Sequence, residues 1–139
     1  MNIRSLSGVA CAAVAIATAM PAAAQDRGET ITPHFEQATP NIPGKSLVAQ
    51  FVDYAPGGAS LPHAHAKSAF IFAYVVSGEI ESQVNVGPKR VYRAGESWYE
   101  TPGSIHRVSR NASTTAPAKL LAVIVIDTDD KKNLTTPLK

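Results

Sequence analysis

The sequence is poor in the residues that cross-link, anchor or strongly charge a chain. One cysteine, Cys11, excludes an internal disulfide and a cysteine-rich zinc site. Neither sign of charge dominates: 13 Lys and Arg stand against 11 Asp and Glu, a formal net charge of +2. That balance excludes a strongly basic nucleic-acid binder and an acidic disordered chain. Aromatics make up only 6%. No apolar run reaches the roughly 20 residues of a membrane-spanning helix. After residue 24 no stretch shows a 3.6-residue apolar period with caps, and there is no internal repeat. No nucleophile elbow supports a Ser/His/Asp triad. At 139 residues the chain suits one domain, which excludes a multidomain enzyme.

What is present begins with a processing signal. Arg4 is the one charged side chain before Asp26, and an apolar stretch rich in Ala and Val follows it from Val9 to Met20. The stretch ends in Pro21-Ala22-Ala23-Ala24-Gln25. A basic start, a short apolar centre and an A-x-A ending read as a secretory signal, residues 1–24, cleaved after Ala24. The alternative, a membrane anchor, has an apolar run of only about a dozen residues to work with. Cleavage removes Cys11 and implies a periplasmic or secreted protein of roughly 115 residues, enough for one modest core.

From residue 25 to 46 the sequence is polar and broken by Pro33, Pro40, Pro43 and Gly44, and reads as an irregular lead-in. Short runs of strand character follow. They cover residues 47–52, 69–76, 79–84, 90–93, 96–101, 106–109 and 119–127, and Gly/Pro turns separate most of them. Seven short strands and no helix predict an all-β fold, a small antiparallel barrel or sandwich over residues 47–127. Residues 128–139 form a polar tail that reads as loose.

The chemistry lies at His63-Ala64-His65. In a strand, residues two apart leave the same face about 6–7 Å apart, so two imidazoles can converge on one ion. A third, His106, follows Pro102-Gly103-Ser104-Ile105 and opens another strand. Three of the four histidines stand at strand starts just after Gly/Pro turns. Three neutral imidazoles with open positions suit a divalent transition metal: Fe, Mn, Ni, Cu or Zn.

These segments resemble the two motifs of the cupins. Gly57-x5-His63-x-His65, ending in Gly78, is similar to the first motif. Gly95 through Pro102-Gly103-x-x-His106, with Asn111 shortly after, is similar to the second. The spacing from Gly95 to His106 matches the family's. The resemblance spans Leu47 to Asp127. It implies a small jelly-roll β-barrel with one metal in its mouth, Fe or Mn foremost, held by His63, His65 and His106.

The departures from the family pattern carry information. The glutamate that usually follows the second histidine as a fourth ligand falls here on Ala69 or Phe70, neither of which can coordinate. The interval from His65 to Gly78 is slightly long, the motif proline falls on Thr101, and Asn111 is one place late. The site thus resembles the three-histidine cupins known among thiol and diketone dioxygenases. Glu100 is the candidate carboxylate, since the resemblance points this position into the barrel and period two puts Trp98 on its face. An inward carboxylate needs a metal or a cation beside it, whereas a bulged strand would leave it in water. Its implied role is catalytic, as the base that deprotonates substrate. Gln83 is a weaker candidate, and Ser82 is the expected inward residue.

Other conspicuous groups read as packing or solvated surface: Phe70, Phe72, Tyr74, Trp98 and Tyr99 in strands, with the lining of a substrate pocket as the alternative, the basic Lys89, Arg90 and Arg93, and His34 in the lead-in. The resemblance to the quercetin dioxygenase-like group implies a metal-dependent dioxygenase of a small oxygenated organic molecule. A non-catalytic periplasmic module that binds metal or a small ligand, and a metal-assisted isomerase or lyase, remain alternatives. The expected partner is a small-molecule substrate, with no nucleic acid, no membrane once the signal is removed, and pairing into a homodimer as cupins often do.

Overall fold

The computed structural model describes residues 27–139, so the expected signal, residues 1–24, lies outside the described residues. Ten strands and one 3-10 turn follow one another: β1 (Glu29–Ala38), β2 (Lys45–Tyr54), β3 (His63–His65), β4 (Phe70–Ser77), β5 (Glu79–Val84), β6 (Arg90–Arg93), β7 (Ser97–Glu100), β8 (Ile105–Asn111), β9 (Ala118–Asp127), the turn (Thr128–Asn133) and β10 (Thr135–Pro137). They form two antiparallel five-stranded sheets, ordered β1-β2-β9-β4-β7 and β10-β3-β8-β5-β6. The expected all-β jelly-roll architecture is what the chain adopts.

Period two produces the core. Along β9 alternate residues from Ala118 to Ile126 are buried, and along β4 Ile71, Ala73 and Val75 are buried. One core cluster gathers Val52, Val75, Ile80, Trp98 and Leu120, and a second gathers Ala69, Ile71, Ile124 and Ile126. The opposite face of the first sheet stays apolar, with Phe70, Phe72, Tyr74 and Val76 of β4 and Tyr99 of β7 exposed. Those aromatics therefore pack outside the barrel and do not line its interior.

Gly78 shows why its motif position needs glycine. It has φ of +74°, and a Cβ there would lie 2.6 Å from the Pro117 carbonyl and 2.8 Å from Ala118 Cα. Only a residue without a side chain lets the β4–β5 turn press against the start of β9.

Two expectations are corrected. The lead-in is not irregular: β1 pairs with β2 from Glu29↔Tyr54 to Ala38↔Ser46, with one bulge between Pro33 and Phe35. Pro33 lacks an N–H, but β1 is an edge strand and tolerates it at the bulge. Pro40, Pro43 and Gly44 belong to the hairpin turn, where the Thr39 hydroxyl bonds the Ile42 and Lys45 carbonyls. Most β1 side chains are exposed, so the strand left no apolar alternation to read.

Nor is the tail loose. After the 3-10 turn, Leu134 packs on the second core cluster and β10 pairs with β3, setting Thr135 opposite His65 and Pro137 opposite His63. Its strand spans only three residues, too few to show a pattern.

Candidate metal centre

Two strands of one sheet supply the histidines. β3 and β8 pair so that His63 stands opposite His106, and period two turns His65 to the side of His63. The ring centroids of His63 lie 4.7 Å from His65 and 5.4 Å from His106. Each of the three offers a ring nitrogen, and these atoms all lie within 4.8 Å of one another. The turn before β8 holds the strands in this register: His65 N–H donates to Ser104 O at 2.9 Å, and Gly103 N–H to Ala66 O at 3.0 Å.

Glu100 reaches the cluster from the opposite sheet. β7 sets it opposite Ile71, and the residue is 2% exposed, with Trp98 buried on the same face. The inward alternative for Glu100 is thus the observed one. Its Oε1 lies 3.2 Å from His106 Nδ1 and accepts from Trp98 Nε1 at 3.1 Å. Its Oε2 lies 3.0 Å from His65 Nε2, yet the approach is not aligned as a hydrogen bond. Among the described residues, His65 Nδ1, His65 Nε2 and Glu100 Oε2 are consequently buried polar atoms with no hydrogen-bond partner. Such atoms are costly unless something else satisfies them, and a cation between the imidazoles and the carboxylate would.

The outer contacts leave lone pairs available. His63 Nδ1 lies 2.7 Å from the Leu61 carbonyl, which can only accept, so Nδ1 carries the proton and Nε2 presents its lone pair. His106 Nε2 lies 2.9 Å from Ser82 Oγ, a hydroxyl able to donate or accept and therefore compatible with either tautomer. Ser82 is the inward residue of β5, as expected, whereas Gln83 turns its amide to Gly87 O.

Burial holds His106 down to about 4, with Glu100 opposing and the other two imidazoles reinforcing. Burial also lowers His63, against the bond to Leu61. For Glu100, burial pushes the carboxyl upward, but the His65 and His106 neighbours and the Trp98 indole outweigh it and hold it low. Near neutral pH this gives unprotonated imidazoles at His63 and His106 beside a carboxylate, a donor set that fits a divalent metal.

Ala69 is fully buried and Phe70 faces outward, so the stretch where the usual glutamate would fall brings no carboxylate to the cluster. The basic hairpin is surface: Arg93 pairs with Glu79 at 3.0 Å and Arg90 with Glu96 at 3.5 Å. Exposed His34 packs on Phe51 with centroids 4.8 Å apart. Asn111 is buried and its amide donates to the Ala55 and Ala116 carbonyls, a structural role.

The histidines and Glu100 share the wall of a cavity of about 220 Å³. Val52, Ile71, Ala73, Leu120, Ala122 and Ile124 give it apolar sides. Tyr54, Ser60, Ser109 and Glu29 also reach it, and sequence reasoning did not single them out. The signal for Ser109 was masked: it lies three residues beyond His106, out of period two, because the β5–β8 pairing skips Arg107.

Fold and site together define a small double-sheet β-barrel with a histidine cluster compatible with a divalent metal. The Cupin_2 family model, described as Cupin domain, matches residues 50–124, and the chain belongs to that family. No curated protein matches it. Among solved structures, an uncharacterized conserved protein with a double-stranded beta-helix domain from Klebsiella pneumoniae is 18% identical, with a TM-score of 0.61 over 86% of this chain and 90% of that one. Oxalate oxidase in complex with the substrate analogue glycolate is 23% identical, TM-score 0.57, over 82% of this chain and 62% of its own. A chain from the structures of the DMSP lyases RdDddP and RnDddQII is 16% identical, TM-score 0.56, over 67% and 44%. At these identities the likeness shows the fold.

Proposed function

We propose that this chain is an exported, metal-dependent cupin enzyme of the dioxygenase type, acting on a small oxygenated organic molecule. The observation that carries the reading is the set of buried, unpartnered polar atoms where His65 meets Glu100, beside the free Nε2 of His63 and on the wall of a largely apolar cavity. His63, His65 and His106 would hold one divalent metal, Fe or Mn, with Glu100 against it from the other sheet. When bound, such a metal supplies Lewis-acid activation of a chelating substrate or of O₂.

The chain's own residues do the rest. Glu100, kept ionised by its neighbours and aimed by the Trp98 indole, accepts the proton that a chelating hydroxyl gives up. The apolar walls exclude water and strengthen that charge interaction. The cavity has room for a small molecule: an engineered cavity of about 150 Å³ takes benzene, so about 220 Å³ would seat one substituted ring or its acyclic equivalent.

A second reading, a metal-assisted lyase or isomerase, draws on the same carboxylate, which can abstract a proton without O₂. Metal content after mild purification, with O₂ uptake measured on small diketones, hydroxy ketones and thiols, separates the readings. Stoichiometric Fe or Mn with O₂ uptake is expected. Protein that takes up no metal after incubation with Fe, Mn, Ni, Cu and Zn overturns both, and bound metal with turnover but no O₂ uptake favours the lyase. Export is tested by the mass of the mature protein, expected to begin at Gln25.

A further inference from the structure

The cavity has a second polar pole. Tyr54 is 2% exposed, and its hydroxyl lies 2.6 Å from Ser60 Oγ and 2.7 Å from Ser109 Oγ. Ser60 Oγ in turn donates to Glu29 Oε1. These four residues line the same cavity as the histidines. They sit three residues along β8 from His106, on the order of 10 Å of extended chain, where Ser60 N–H bonds the Ser109 carbonyl.

Counting hydrogens fixes the direction of this chain. The Ser60 proton goes to Glu29, so the contact between Tyr54 and Ser60 must use the phenol proton. The contact between Tyr54 and Ser109 must then use the Ser109 proton. Every hydroxyl hydrogen points toward the carboxylate, from Ser109 to Tyr54 to Ser60 to Glu29. Burial pushes the Tyr54 hydroxyl up to about 12, against its bonds to Ser109 and Ser60, so the phenol keeps its proton. What remains for the cavity is lone pairs on Ser109 and Tyr54. These hydroxyls accept hydrogen bonds from the cavity and have none to give.

We infer that the cavity takes a compound the size of one substituted ring, with a chelating pair of oxygens at the histidines and a hydroxyl or amino donor at the Tyr54–Ser109 end. The inference rests on the proposed metal centre for one pole only. A ligand with a methyl group there leaves the lone pairs unpaired, and one with an ether oxygen sets acceptor against acceptor, so discrimination follows from unmet polar groups.

Three hydroxypyranone chelators that differ only opposite the chelating edge test this: kojic acid with a hydroxymethyl group, allomaltol with methyl, and the methoxymethyl ether of the same ring. Binding to the metal-loaded full chain is read by calorimetry. Kojic acid is expected to bind at least tenfold tighter than allomaltol, and the ether weakest. In Tyr54→Phe the Ser109 hydroxyl loses its acceptor and becomes free to donate. Metal content is expected to hold, the preference for kojic acid to collapse to within about twofold, and the ether to gain. A general weakening of the pocket would not produce that gain. Should Tyr54→Phe fail to fold, Ser60→Ala takes away the acceptor of the phenol proton, which can then turn into the cavity, and reads the same loss of preference. If all three chelators bind alike in a metal-dependent manner, the donor inference is overturned and the metal centre stands. If no metal is taken up and none binds, the metal centre itself falls, and the inference with it.

Discussion

Trp98 holds Glu100 from two residues earlier on the same strand: the indole N–H donates to Glu100 Oε1 across 3.1 Å, with both side chains buried. β7 thereby delivers a carboxylate and its orienting donor as one unit into a cluster built by the other sheet. One oxygen is committed to the indole, and the other faces His65 without an aligned hydrogen bond.

Replacing Trp98 by Phe tests that unit. Phe fills most of the space but removes the N–H, so Glu100 loses its aim while the core stays packed. Partners of this kind cost roughly 10–100-fold in metal affinity when removed. We expect that loss in a calorimetric titration, with an unchanged β-rich far-UV spectrum. An affinity equal to the parent's would show that the indole does not orient the carboxylate. Trp98 is the one tryptophan of the sequence, so parent fluorescence should respond to metal at a single site.

His106→Ala removes one of the three imidazoles of the cluster and leaves the Ser82 hydroxyl without its 2.9 Å partner. The unpaired hydroxyl and the cavity together cost about 2–4 kcal/mol, so the fold should survive at a lower Tm. Stoichiometric metal should be lost on elemental analysis. Metal retained one to one would refute the three-histidine site.

How far the sequence reached depended on whether a residue's side chain left a pattern. The buried alternation of β4 and β9 and the spacing of His63, His65 and His106 were legible because period two fixes facing. β1 was not, since an exposed edge strand carrying Pro33 shows neither alternation nor continuity. β10 was too short to register, and its role comes from pairing across 70 residues with His63 and His65. The Glu29, Ser60, Tyr54 and Ser109 chain joins four parts of the sequence, one of them displaced by a bulge, so only the folded register brings it together.

Ending the chain after Asn133 tests the value of the tail. The deletion removes Leu134 from the core and the 3.1 Å bond from Ala66 N–H to its carbonyl. It also makes β3, which carries two of the histidines, a sheet edge. Lost packing of one leucine is worth about 2–3 kcal/mol, which in a domain of this size lowers Tm by roughly 10 °C. Metal affinity should fall by about tenfold as β3 loses one of its two neighbours. If thermal scans show the truncated chain as stable as the parent, the tail is dispensable.

Acid should weaken the metal-free protein before any carboxylate titrates. Burial holds His106, only 4% exposed, down to about 4 from the usual 6.5. The unfolded chain therefore takes up a proton near pH 6.5 that the folded chain refuses until about pH 4. Stability is full above the unfolded value and is lost as pH falls between the two, by about 3 kcal/mol for this one group. His63, also lowered by burial, adds to the fall in the same sense. Glu100 acts further down: its low folded value contributes stability above the ordinary carboxylate range, lost only as pH falls through the lowered value. Urea midpoints of metal-free protein should thus be level from pH 8 to 7, decline from about 6.5 to 4, and decline less in His106→Gln. A parent profile flat to pH 4.5 would mean that His106 is protonated in the fold. Loaded protein should release its metal over the same range, because the proton and the ion compete for the same imidazole lone pairs.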